Sequence, residues 1–380
     1  MRTSEAQKFS HSVRNDIVGY IPHQNFTITQ HPLSYLCVLQ FTMNTKNIRL
    51  SVLDQSPVRK GVTAEQAVKE TIELAKYTDQ LGYTRFWVSE HHNTGSLAGS
   101  TPEVLMAYLA SQTTNIRIGS GGVMMPNHSA LKVAENFRML EALAPGRIDL
   151  GMGRAPGTDR LTASVLNPSN QFREQDFIEQ LYDLRNFFHD TGEPGTPVGR
   201  IRAIPQVQTV PDMWLLSSSG QSGLFAAHFG MGLSFAHFIN PFGGPEAVKL
   251  YRERFEPSED MAAAQASVAI FVFCSEDEEK IRRHQAMMDY RFNQFEKGAG
   301  IVPVNYDDVK DVEYSQGELD RINYNRARVI TGTPTEIKLK LQWLAEDYKV
   351  DEIIAVTITE SFEDRLESYR LLAEQFGLVN

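Results

Sequence analysis

The stretch IRIGSGGVMMPNHSALKVAENFRMLEALAPGRIDLGMGRAPGTD, Ile116 to Asp159, holds two short apolar runs that each break into glycines. The first gives Gly119-Ser120-Gly121-Gly122, and the second gives Gly151-Met152-Gly153 followed by Arg154. Between them Leu131, Ala134, Phe137, Met139, Leu140 and Leu143 recur near helical spacing, so strands at Ile116–Gly119 and Ile148–Gly151 flank a helix in one βαβ unit. Glycine at a strand end lets backbone approach a ligand that a side chain would hold away.

The same alternation continues outward. Leu50–Leu53 and Arg85–Val88 read as strands, Ala64–Leu81 and Pro102–Gln112 as helices. Beyond the central unit follow a helix near Glu174–Phe188, a strand at Trp214–Leu216, a helix at Ser222–Phe229, strands at Leu233–Ala236, Ser267–Phe273 and Ile353–Val356, and a last helix near Phe362–Phe376. Seven or eight strand-helix units without a central break match a (β/α)8 TIM barrel better than a doubly wound sheet. Two regions depart from the rhythm. Residues 1–42 mix Arg, Ser, Gln, His and Pro and read as a poorly ordered extension, the functional domain starting at Met43 and running to residue 380. Residues 298–332 read as a long loop-like insertion before the last βα unit, either a lid or a peripheral packing element.

Composition narrows the function. The chain has 380 residues, 42% hydrophobic and 22% charged, with a formal net charge of −10. That balance, without any Lys/Arg run, disfavours nucleic acid and points to a small-molecule partner. Cys37 and Cys274 are far apart and in no CxxC, which disfavours a disulfide framework or zinc site and fits a reducing, cytoplasmic setting. Leu33–Phe41 is too short to span a bilayer, and no signal-peptide pattern is present.

In a barrel the chemistry sits at the carboxyl ends of the strands. Those positions hold Asp54-Gln55-Ser56, Glu90-His91-His92, Ser120-Gly121-Gly122, Gly153-Arg154, Ser217-Ser218-Ser219-Gly220 and His237. Several familiar motifs fail here. In Gly151-Met152-Gly153-Arg154-Ala155-Pro156-Gly157 the third glycine comes one place late for a dinucleotide fingerprint, and Pro156 occupies the turn. Adjacent His91 and His92 face opposite sides of a strand and cannot clip one metal. Ser222 lacks the glycines of a nucleophile elbow, leaving a barrel hydrolase without a nucleophile-base pair. SSSGQSG, Ser217–Gly223, does fit a phosphate cradle: it follows a strand and opens a helix, where free N–H groups and the helix dipole favour an anion. The plain alternative is an N-cap at Ser219 or Ser222. Arg154, on another strand end, would complete a charge-assisted clamp.

LSVLDQSP, RFWVSEHHN, the 116–159 stretch and WLLSSSGQSGLFAAHFG together resemble the bacterial luciferase-like family of flavin-dependent monooxygenases, over Met43 to Asn380. The resemblance implies a barrel binding FMN at the carboxyl rim, usually supplied reduced by a separate NAD(P)H:flavin reductase. It places Arg154 on the FMN phosphate, with Ser218, Ser219, Gly220 and Ser222 in the phosphate loop. Gly121-Gly122 falls where the family has a non-proline cis peptide under the isoalloxazine ring. His91 takes the place of a histidine near the flavin C4a position, as base or hydrogen-bond partner, a task suited to imidazole, and His92 orients the loop. The implied reaction is oxygenation of a small organic substrate by O2 through a C4a-(hydro)peroxyflavin. An F420-dependent oxidoreductase on the same fold and a non-catalytic flavin-binding protein are the alternatives. Asn127-His128 departs from the His-Tyr frequent in close relatives, and the 298–332 segment is the least family-like. A homodimer is implied through the helices at Pro102–Gln112 and Leu131–Leu143, where Leu105, Met106, Tyr108 and Phe137 either offer apolar surface to a partner or face the barrel.

Overall fold

A computed structural model describes residues 47–169, 171 and 173–379; the extension expected over residues 1–42 lies outside them. Among the described residues are nine parallel strands: β1 Arg49–Asp54, β2 Arg85–Val88, β3 Arg117–Met124, β4 Ile148–Gly153, β5 Asp212–Ser217, β6 Gly232–Ala236, β7 Ala266–Cys274, β8 Val329–Gly332 and β9 Glu352–Val356. Each of β1 to β7 pairs with the next, and β9 pairs with both β7 and β1, which closes a barrel. β8 stands outside the ring, on the last residues of β7, Phe271–Cys274, just past the Val268–Phe271 stretch that β9 uses.

The helices are α1 Ala64–Gln80, α2 Pro102–Gln112, α3 Ala130–Leu143, α4 Arg160–Leu166, α5 Glu174–His189, α6 Pro197–Arg200, α7 Gly220–Phe229, α8 Gly244–Glu253, α9 Glu278–Glu296, α10 Gln316–Asn325, α11 Pro334–Tyr348 and α12 Phe362–Phe376. Their starts carry the expected chemistry: Thr63, Ser129, Asp159 and Ser361 accept from backbone N–H groups of the first turn, satisfying donors that a helix leaves unpaired. Strands β2, β4, β7 and β9 are buried throughout, as parallel strands covered by helices must be.

A charged layer crosses the barrel toward the amino ends of the strands. Arg85 of β2 donates to Asp149 of β4 at 2.8 Å and to Glu352 of β9 at 2.6 and 3.2 Å, with all three side chains at most 3% exposed. Arg117 of β3 reaches Asp149 and Asp212 of β5, Ser51 of β1 donates to Glu352, and the Trp87 indole donates to Asp149.

Two expectations change. β3 does not end at Gly119 but runs through the glycines to Met124, with a register shift against β4 between Gly121 and Val123. The cause is close packing: a Cβ on Gly122 would lie 2.6 Å from Leu216 Cδ1 and 2.7 Å from the Gly151 carbonyl oxygen. The 298–332 segment, read as loop-like, contains α10 and β8. Val304 and Val309 pack on Met287 of α9, and ion pairs Arg326–Asp289, Arg321–Glu296 and Lys297–Glu318 join its remainder to the same helix and its end. Only four residues form β8, too few for a period to declare itself in the sequence.

Candidate active site

The carboxyl ends of the strands surround a cavity of about 250 Å³. Its wall is mainly apolar, with Leu53, Trp87, Leu216, Phe238, Ala269 and Ile354, and the backbone of Gly121 forms part of it. The peptide bond between Gly121 and Gly122 is cis. Gly121 is glycine for the same reason as Gly122: a Cβ there would fall 2.7 Å from Leu53 Cδ1.

Polar groups concentrate at separate places on this wall. Arg154, Ser217, Ser218, Ser219 and Ser222 all line the cavity. Ser219 is the residue before α7, in extended conformation, and its side chain makes no capping hydrogen bond. The plain N-cap reading of Ser219 therefore does not hold. The turn is instead built by Ser217, whose hydroxyl donates to the Ser219 carbonyl and accepts from the Ser219 N–H at 3.1 Å. Gly220 opens α7 with open space around its Cα. Arg154 donates to Gln221 Oε1 at 2.5 Å and lies 3.6 Å from the Glu174 carboxylate, while about a third of its side chain stays exposed. A cation, serine hydroxyls and the positive end of α7 thus converge on one end of the cavity, a donor set that suits a phosphate.

Elsewhere on the same wall stand Gln55 and His91. His91 Nδ1 is 3.0 Å from Ser89 Oγ, and its backbone N–H donates to the Gly99 carbonyl at 2.8 Å. Burial lowers the His91 pKa, against the opposing charge of Glu90, so the ring is neutral at neutral pH and can donate or accept a proton. His237 is turned from the cavity: its Nε2–H donates to the Ala327 carbonyl at 2.9 Å, and its Nδ1 accepts from Tyr348 at 2.8 Å.

Glu90 has a role that motif reading gave it no reason to hold. Wholly buried, it accepts from the Met124 N–H at 2.8 Å, from Asn127 Nδ2 at 3.0 Å, from His128 Nε2 at 3.0 Å and from His92 Nε2 at 2.8 Å. One carboxylate thereby fastens the loop that carries His91 to the end of β3. His92 acts in that bridge, not on the cavity wall. The sequence signal was a carboxylate at a strand end between Ser89 and His91. Gln221 and Glu174, the partners of Arg154, offered no such signal because they come from two helices distant in the chain.

A neighbouring cavity of about 630 Å³ shares Arg154 and is lined by Arg160, Arg173, Glu174, Asp176 and Gln221 among others. It is larger but more polar, and Arg173 within it is already paired with Asp176 at 2.6 Å. The apolar cavity, with its convergent polar ends, is the better chemical site.

The Glu90 bridge is pH-dependent. Burial disfavours the Glu90 charge, yet the hydrogen bond and charge of His128, together with the hydrogen bonds of His92 and Asn127, outweigh it and the pKa falls below 4.5. For His128 burial is likewise outweighed by Glu90, and its pKa rises above 6.5. The raised histidine contributes fully below pH 6.5 and is lost as pH rises through its folded value, while the lowered carboxylate contributes above pH 4.5 and is lost in acid. His128→Gln should therefore cost about 1–2 kcal/mol at pH 6, and the difference from wild type should shrink toward pH 9, as read by urea unfolding at both pH values. A difference constant with pH would contradict the bridge.

Residues 48–349 match the sequence profile of the luciferase-like monooxygenases. The Bacillus subtilis (strain 168) protein YwcH is 47% identical over 331 residues, covering 87% of this chain and 99% of its own. N-acetyl-S-alkylcysteine monooxygenase from the same organism is 35% identical over 334 residues, covering 86% and 98%. The crystal structure of apo-MsnO8 superposes with a TM-score of 0.80 at 34% identity, covering 88% of this chain and 99% of that one. The fold is shared with the FMN-bound oxygenating constituent of 3,6-diketocamphane monooxygenase from Pseudomonas putida (TM-score 0.64, 18% identity, covering 86% and 97%). It is shared also with an F420-dependent secondary alcohol dehydrogenase (TM-score 0.62, 11% identity, covering 87% and 99%). A closed parallel barrel with this rim, matched over most of its length by the family profile, belongs to the luciferase-like monooxygenase family.

Proposed function

We propose that this chain is an FMN-dependent monooxygenase that inserts one atom of O2 into a small organic substrate. The observation that carries the reading is an apolar cavity with Arg154, Ser217, Ser218, Ser219 and Ser222 on its lining and a neutral histidine, His91, on the same wall. Arg154, Ser218, Ser219, Ser222 and the N-terminus of α7, starting at Gly220, would hold the FMN phosphate, and Gly121-Gly122 would back the ring. Bound reduced FMN supplies the activation of O2. The apolar wall excludes water from the reacting centre. With Nδ1 of His91 engaged by Ser89, Nε2 is the atom left to exchange a proton with the cavity. A separate NAD(P)H-dependent reductase delivers the reduced flavin. The FMN bound to the Pseudomonas putida protein supports the cofactor, and the relative that acts on N-acetyl-S-alkylcysteines makes thioethers the first substrates to try.

The test is turnover under ¹⁸O2 with FMN, NADH, a flavin reductase and a panel of thioethers, aldehydes and ketones. One labelled oxygen in the product and one in water is expected, with yield reduced about 100-fold in His91→Ala. Hydride transfer with reduced F420, and no labelled product from any panel member, would contradict the reading.

We also infer a homodimer. Met106 and Phe137 are fully buried in their own barrel, the second of the two readings the sequence left open, and do not serve it. Val104, Tyr108, Met139 and Leu143 on the adjacent helices α2 and α3 are exposed among the described residues and form the apolar face that association would cover. Light scattering at micromolar concentration should give twice the 42.8 kDa chain mass, falling to monomer in Tyr108→Glu/Met139→Glu. A wild-type monomer would overturn the dimer.

A further inference from the structure

Gln55 is the only glutamine buried among the described residues, 8% exposed, and it lines the cavity just past the end of β1. Strand alternation aims it there. Leu53 faces the cavity, Asp54 turns outward to meet Arg365 of α12 at 3.0 Å, and Gln55 turns inward again. The backbone that follows is fixed. The Ser56 N–H donates to Asp54 Oδ1 at 2.6 Å, and the Ser56 hydroxyl accepts from Thr71 of α1 at 2.9 Å. The Ser56 carbonyl accepts from the Ala98 N–H at 2.9 Å, and the carbonyl of the next residue, Gly99, accepts from the His91 N–H at 2.8 Å. One short segment thus fastens both the turn that carries Gln55 and the loop that carries His91.

The Gln55 carboxamide itself makes no hydrogen bond among the described residues, and neither of its polar atoms is sealed in protein. Other glutamines near the cavity are engaged: Gln180 donates to the Met125 and His128 carbonyls, and Gln221 accepts from Arg154. A desolvated carboxamide on a rigid backbone calls for an uncharged partner that both donates and accepts. No other lining residue offers that pair of atoms. Arg154 only donates, each serine has one oxygen, and His91 has Nδ1 engaged by Ser89. In the strand order β3, with Gly121, lies between Gln55 on β1 and the anion-binding end on β4 and β5.

We propose that Gln55 recognises the pyrimidine edge of the flavin ring, where an N3–H lies between two carbonyls. Gln55 Oε1 accepts from N3–H, and Nε2 donates to the carbonyl beside it. This rests on the flavin reading of the cavity, but not on the choice of FMN over F420, whose ring carries the same edge, and not on oxygenation. Gln55 is a positioning residue for the ring, with no part in proton or oxygen transfer.

The experiment is fluorescence titration of riboflavin, 3-methylriboflavin and FMN against wild type, Gln55→Met and Gln55→Asn. Methylation removes the N3–H alone, and methionine keeps the shape of glutamine without its hydrogen bonds. Wild type should bind riboflavin about tenfold more tightly than 3-methylriboflavin. Gln55→Met should lose that preference while keeping the preference for FMN over riboflavin, and Gln55→Asn, one methylene short, should lose most of it. Should Gln55→Met fail to fold, Gln55→Asn decides by the same comparison. Equal binding of riboflavin and 3-methylriboflavin by wild type, or a preference that survives in Gln55→Met as crowding alone would leave it, overturns the proposal. Failure of wild type to bind any of the three would instead overturn the flavin reading, and this inference with it.

Discussion

The charged layer formed by Arg85, Asp149, Glu352 and Arg117 is the constraint on which the barrel depends, because it joins strands that do not pair with one another, β2 with β4 and β9 and β3 with β5. Arg85 bridges β4 and β9 from β2, and Arg117 bridges β4 and β5 from β3. Taking such groups out of water is expensive, and the cost is recovered only when every partner is in place. Removing one partner would leave a buried charge uncompensated, typically at about 3–5 kcal/mol. The layer therefore favours one strand order and one register over the alternatives that a uniformly apolar interior would tolerate. The stack of Arg85 over the Trp214 ring, 4.8 Å from its centroid, ties this layer to the apolar column above it.

Toward the carboxyl ends the governing requirement reverses, from filling space to leaving it. Glycines at 121 and 122 let β3 lie against Leu53 and Leu216 without a side chain between them, and the cavity opens beside them. What surrounds it is a division of labour. The α7 end supplies positive potential, the wall supplies dryness, and the β2 loop supplies a histidine held neutral by burial. Glu90 keeps the last of these in position by bonding four groups at once, so the orientation of His91 is set by a residue that does not touch the cavity.

Much of this was legible in the sequence where a local rule governed it. The alternation of strand and helix specified the barrel, and the rim residues followed from the rule that function lies at strand ends. Gly121, Arg154, Ser217 and His91 indeed come together on one cavity. The rest depended on contacts between distant segments. Gln221 and Glu174 hold Arg154, and Tyr348 and Ala327 hold His237 away from the cavity; no periodicity encodes such pairs. Met106 and Phe137 stayed open between two readings because an apolar residue on an amphipathic helix reads alike whether it meets its own barrel or a partner. β8 was missed because its four residues are recruited by the overhang of β7, a tertiary cause without a local signature.

The central claim is that the cavity is built around a flavin phosphate. Its most direct test is equilibrium binding of FMN and riboflavin, which differ by that phosphate, to wild type and Arg154→Ala by fluorescence titration. The account predicts that wild type prefers FMN by about 10- to 100-fold, as charge-assisted hydrogen bonds of about 1.5–3 kcal/mol require, and that Arg154→Ala removes most of this preference while leaving riboflavin affinity unchanged. Equal affinity for the two flavins, or a preference for FMN that survives Arg154→Ala, would contradict it.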